Sequence, residues 1–189
     1  SLREPRYGIS IRSFRTTSCS PSVVGIEPEV VLINFEDIES VTESGNVVSG
    51  ITLATGTHGY KYESAKNAFE ASAALAAGTY LNKVTHQVIF RIFLKSQTIK
   101  DELDKMLNAR LVAIVKNLDK ATAAVRYEVY GLEAGLTLSD LQSTSTDTDG
   151  VVYTGTLASE DGKGESTLPK SFFTTDYDTT KAAVDALVA

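Results

Sequence analysis

The side chains best suited to chemistry are few and scattered. The sequence holds two histidines, His58 and His86, and one cysteine, Cys19. A tight zinc site draws Cys, His and carboxylate ligands from short, regular spacings. These three residues stand far apart, and both histidines have apolar or aromatic neighbours, so packing and surface roles are expected of them. A single cysteine allows no internal disulfide, which makes a reducing compartment the default expectation. Asp147-Thr148-Asp149-Gly150 begins like a calcium loop, in which alternating carboxylates converge on one ion. The remaining ligands and the closing glutamate do not follow at the required offsets, so a hairpin tip is expected instead. Gly162-Lys163-Gly164-Glu165-Ser166 has the glycines and lysine of a phosphate-cradling loop. However, Lys163 precedes Gly164 rather than a hydroxyl residue, and Leu157 occupies the position where the leading glycine belongs. No nucleophile elbow or dinucleotide fingerprint occurs, and no carboxylate pair stands out from the many present. Neither catalysis, a cofactor nor a metal is expected.

Charge carries more information. The formal net charge is −6, and residues 140–180 account for it with eight acids against two bases. A second acidic run, Glu27, Glu29, Glu36, Asp37, Glu39 and Glu43, contains no base, whereas Ser1 to Arg15 sets Arg3, Arg6, Arg12 and Arg15 against Glu4. Acidic surfaces repel nucleic acid, which disfavours a sequence-specific DNA reader. A basic arm and acidic patches on one chain suit self-association. No apolar run approaches the roughly 20 residues of a membrane span, and the arginine-bearing start has no apolar segment behind it, unlike a secretory signal. No membrane partner is expected, and the protein is expected to be soluble and intracellular at synthesis.

These residues have to be positioned by a chain of 189 residues, expected to form one β-rich domain over 26–189 behind an extended arm over 1–25. The stretch Val88 to Leu138 reads as strand, helix, strand, strand. Val88, Phe90, Ile92 and Leu94 alternate with Ile89, Arg91 and Phe93, giving a strand covered on both faces. Thr98 with Asp101 three residues on predicts a helix start. Ile99, Leu103, Met106 and Leu107 then form one buried stripe of a helix running to Arg110. Leu111 to Val115 is a short β-branched apolar run, as in a central strand. Val125 to Leu138 reads as one long strand with a bulge or bend at Gly131 and Gly135.

Upstream, Val30 to Phe35 predicts a strand, and Ser44-Gly45-Asn46 between alternating runs predicts a hairpin turn. The Ala-rich stretch Glu63 to Ala77, closed by Gly78, predicts a helix. Downstream, the polar loop Ser143 to Gly150 joins two strands, and Thr179/Thr180 are expected to cap a last helix, Lys181 to Leu187. The resulting class is α+β, mainly antiparallel β, as a two-sheet sandwich or barrel-like domain with a flanking helix.

This order of elements, with the stretches Val84-Thr85-His86-Gln87-Val88-Ile89-Phe90, Arg110 to Asn117 and Tyr127 to Leu136, resembles bacteriophage tail-tube proteins and related virion structural proteins. The resemblance implies a non-enzymatic, self-assembling protein of the virion, put together in the host cytoplasm. Its partners would be copies of itself in stacked rings, usually hexamers, other virion proteins, and DNA that passes without sequence-specific binding. Glu36, Glu39, Glu43 and Gly45 are then expected at the channel, and Arg3, Arg6, Arg12 and Arg15 on a neighbouring subunit, so that removing residues 1–22 should abolish assembly but spare folding. The alternatives are a head-completion, connector or capsid-decoration protein, or a ligand-binding β-sandwich using Tyr60, Tyr62 and Tyr153.

Overall fold

The apolar run Leu111 to Val115 is the hub of the molecule. In the computed structural model, which describes residues 25–64, 67–145 and 149–189, all five of its side chains are buried. In chain order the elements are β1 (Ile26–Asn34), a 3-10 turn (Phe35–Asp37), β2 (Ile38–Ser44), β3 (Val47–Leu53), β4 (Tyr60–Glu63), β5 (Phe69–Ala76) and β6 (Lys83–Ile92). There follow α1 (Gln97–Met106), β7 (Arg110–Asn117), a second 3-10 turn (Ala123–Val125), β8 (Tyr127–Tyr130), β9 (Leu136–Ser143), β10 (Tyr153–Ala158), β11 (Lys170–Phe172) and α2 (Tyr177–Val188).

Among the described residues the fold is mostly β with two helices, and eleven strands form one mixed sheet that does not close into a barrel. β7 pairs antiparallel with β1 along one edge, from Asn34↔Leu111 to Val30↔Val115. Its other edge is shared: β8 takes Ala113 to Lys116 and β9 takes Arg110 and Leu111. One wing runs β8–β11–β3–β2, the other β9–β10–β6–β5, and β4 hangs on the far edge of β1. Among the described strands only the β3/β11 pair is parallel.

Alternation along β1 and β7 feeds two separate cores. Val30, Leu32, Leu111, Ala113 and Val115 meet Val88 and Phe90 of β6, Leu157 of β10, and Leu103 and Met106 of α1. On the opposite face Val31, Ile33, Val112 and Ile114 meet Val48 and Ile51 of β3, Phe172 of β11, and Val184 and Leu187 of α2. Strands covered on both faces have no polar side to show, which is why Leu111 to Val115 reads as an unbroken apolar run.

Several expectations need correction. The described residues of Glu63 to Ala77 do not form a helix: Glu63 ends β4, and the second half is β5, paired with β6 from Phe69↔Phe90 to Ala76↔Lys83. Alanine's advantage in a helix is under about 1 kcal/mol per residue, and the stretch has no apolar stripe for a helix to bury. As a strand it places Phe69 in the first core, packs Ala71 against that core and satisfies its inner backbone edge on β6. Gly78 is not a helix cap but part of the β5–β6 hairpin loop, where an added Cβ would clash with the Leu81 carbonyl oxygen.

The single long strand over Val125 to Leu138 is also two strands, β8 and β9, separated by a turn. Gly131 and Gly135 have φ of +76° and +81°, and the Gly135 N–H donates to the Gly131 carbonyl at 2.8 Å. The chain thereby crosses from one wing to the other. α1 is capped by Ser96, whose hydroxyl accepts the Ile99 N–H, and not by Thr98. It ends at Met106, so Leu107 lies outside the stripe and is exposed, as are Phe93 and Leu94 in the link before the helix. α2 starts earlier than expected, capped by Asp176, which accepts the Thr179 N–H at 2.7 Å. The Gly45 turn, the β9/β10 pairing and the strand at Leu111 to Val115 stand where the sequence predicts them.

Candidate assembly surfaces and the polar pocket between them

The base-free acidic run acquires its bases from distant parts of the chain. Glu27 pairs with buried Arg126 at 2.9 Å, Glu29 with Lys61 at 2.9 Å, and Glu43 with Lys170 at 2.7 Å. Asp37 accepts a hydrogen bond from Asn34. Among the described residues Glu36, in the turn after β1, and Glu39, in β2, are exposed and make no ion pair. Gly45 sits at the tip of the β2–β3 hairpin with φ +60°. Of the four predicted site residues in this region, Glu36 and Glu39 thus offer unneutralised charge, Glu43 is tied down, and Gly45 shapes the turn. Arg3, Arg6, Arg12 and Arg15 lie outside the described residues, as does Asp147 of the calcium-like stretch.

A group of titratable side chains borders a pocket of about 360 Å³, lined in part by Glu43, His86, Glu133, Glu165, Ser166 and Lys170. Glu165 is almost completely buried, and its two carboxylate oxygens accept the backbone N–H groups of Glu133 and Ala134 at 2.9 and 3.0 Å. In return the Glu133 carboxylate accepts both the N–H and the hydroxyl of Ser166. Those bonds favour its charged form and hold its pKa below the ordinary value, against some burial.

His86 is also buried. Its Nδ1 accepts the Gly131 N–H at 3.1 Å, which leaves Nε2 to carry the proton and donate to the Thr167 carbonyl at 2.8 Å. Burial lowers its pKa more than the Thr167 bond and the nearby carboxylates raise it, so the ring stays neutral. Glu133, Glu165 and His86 are each hydrogen-bonded to backbone groups, and Glu43 and Lys170 are paired with one another. His86 has no free lone pair to act as a base, and Glu165 spends both oxygens on amides. Among the described residues no group of three or more side chains is arranged to hold a metal ion. The cluster is therefore a clamp: it fastens the loop containing the phosphate-loop-like stretch onto the turn between β8 and β9. Sequence reasoning passed over Glu165 because its partners are backbone amides some 30 residues away in the chain.

A second cluster surrounds Arg126. Its guanidinium carbon lies 5.9 Å from the Tyr177 ring centroid, and Tyr177 stacks on Tyr127 at 6.2 Å between ring centroids. The ammonium of Lys116 lies 5.4 Å from the Tyr177 ring centroid. Hydrogen bonding to Lys116 lowers the Tyr177 pKa, while burial raises that of Tyr127. Nη1 of Arg126 is buried and has no hydrogen-bond partner among the described residues. Tyr153, expected as an exposed aromatic, is buried in the first core, and Tyr62 is half-buried; only Tyr60 of that trio is exposed.

The outer surface is most unusual at the β5–β6 hairpin. Ala71 to Asn82 holds twelve consecutive uncharged residues. Within it Leu75 is 68%, Tyr80 99% and Leu81 70% exposed. β5 ends the sheet path and pairs only with β6, so its outer row of N–H and C=O groups faces away from the sheet; β2 ends the path at the other extreme. A long, neutral, apolar edge strand is a template for another strand, and sheet proteins ordinarily protect such edges with charge, proline or a covering element. Among the described residues β5 carries no proline and a single charge, Glu70, which pairs with Arg91. No family model, curated protein or solved structure matches this chain.

Proposed function

We propose that this chain is a structural protein that assembles with copies of itself through its free sheet edges into rings, as the phage tail-tube proteins it resembles do. The observation that carries the reading is the β5–β6 hairpin: an unpaired edge strand and an uncharged tip with Leu75, Tyr80 and Leu81 in water. Burying those side chains and pairing that edge recovers hydrophobic and hydrogen-bonding free energy that the isolated chain forgoes. One repeated head-to-tail contact between β5 and another edge of a second copy closes into a ring when the rotation per contact divides a full turn.

In such a ring, stacked into a tube in the virion, Glu36 and Glu39 would line the path of DNA and repel it, so that it passes without sticking. A connector or decoration protein would use the same hairpin without stacking. Sedimentation velocity and negative-stain microscopy of the purified full chain test the reading. The parent should form rings or tubes, and Leu75→Lys with Leu81→Lys should leave a folded monomer, because lysine at exposed positions changes folding stability by no more than about 0.5 kcal/mol. A parent that stays monomeric at high concentration, or a double variant that assembles unchanged, would refute it.

A further inference from the structure

We propose that the cavity beneath α1 is a binding site for a small uncharged apolar molecule about the size of one aromatic ring. β4 and β5 follow one another in the chain but do not pair, and α1 lies near the gap between them with Leu103 and Met106 in the first core. Packing there is incomplete. A cavity of about 160 Å³ remains, walled chiefly by Leu32, Phe69, Val88, Phe90, Leu103 and Met106. Apolar cavities of roughly 150 Å³ stay dry and take up benzene or xenon, because a water inside would need two to four polar partners.

Such partners are few: besides the two carboxylates at its rim, the described lining brings the hydroxyls of Tyr62, Ser64 and Thr98. The Ser64 hydroxyl at the rim donates to the Arg91 carbonyl at 3.1 Å. The rim carboxylates are also engaged, Glu102 with Lys105 at 2.7 Å and Glu63 with Lys61 at 3.3 Å. A guest with no charge and no hydrogen-bonding requirement therefore meets the walls without loss. An anion of the same size would place its carboxylate among apolar side chains or beside Glu63 and Glu102.

The sequence supplies its own reporter, since Met106, on the cavity wall, is the only methionine. With the full chain labelled at the methionine methyl carbon, benzene should shift the single methyl resonance saturably through its ring current and raise the melting temperature by linkage. Benzoate at the same concentration should do neither. Ile99 of α1 and Ile92 of β6 also line the cavity, and Ile99→Phe or Ile92→Phe, filling the space from the helix or from the sheet, should each weaken benzene binding at least tenfold. A resonance that ignores benzene near its solubility limit would overturn the proposal, as would equal responses to benzene and benzoate. So would benzene affinity unchanged in whichever filled variants fold; should neither fold, the two titrations of the parent decide alone.

Discussion

At the scale of single residues, the informative groups are those whose hydrogen bonds admit only one protonation state. His86 is held as the Nε2–H tautomer by the Gly131 N–H on one side and the Thr167 carbonyl on the other. A second proton would turn Nδ1 into a donor facing a donor. Its folded pKa is lowered from the ordinary 6.5, first of all by burial. Between the folded and unfolded values the unfolded chain binds more protons, so stability is full above about pH 6.5 and is lost as pH falls through the folded value. His86→Gln retains one acceptor and one donor but cannot titrate. Urea unfolding at pH 7.5 and pH 5 should show the parent losing more stability than the variant over that interval, and parallel losses would assign the acid sensitivity elsewhere. Glu133 acts in a lower window, because its pKa is held down, and so adds stability that disappears only as pH falls below the ordinary glutamate range.

Among the elements, a helix start and a strand show how local signals compete. The sequence points to Thr98 as the cap, but the backbone turns at Ser96, which has φ −145° and ψ 161° and accepts the Ile99 N–H. Thr98 is already inside α1 and exposed. Ser96→Ala should cost about 1 kcal/mol and Thr98→Ala no more than about 0.5 kcal/mol by chemical denaturation; the reverse ranking would move the cap. β5 shows the opposite outcome, in which a helix-favouring composition yields to eight paired positions on β6. Fractions of a kcal/mol of propensity per residue lose to a ladder that also buries Phe69.

For the whole molecule, charge that looks segregated along the chain is neutralised in part by bases brought from far along it. Glu27 meets Arg126 and Glu43 meets Lys170 across 99 and 127 residues of sequence. The repulsive surface proposed for a DNA path thus narrows to Glu36 and Glu39, and Glu43 is a poor probe because replacing it also strands Lys170. Glu36→Lys with Glu39→Lys should leave the melting temperature within a few degrees of the parent but make assembled particles retain DNA, released as salt is raised. DNA retention that does not change, in particles that still form, would place those glutamates away from any channel.

By itself the sequence determined the pieces whose causes are local. The apolar run of β7, the stripe Ile99, Leu103 and Met106 of α1, and the turn at Gly45 are each written within a dozen residues, because periodicity and turn geometry act at that range. The tertiary structure alone decided that Ala71 to Ala76 is strand, that Gly131 and Gly135 switch wings rather than bend one strand, and that Glu165 is a buried clamp for amides about 30 residues away. It also decided which glutamates stay bare and where a cavity remains. Each of these depends on partners brought together only after the sheet has formed, and a backbone amide or a missing atom of packing leaves no mark in the order of side chains.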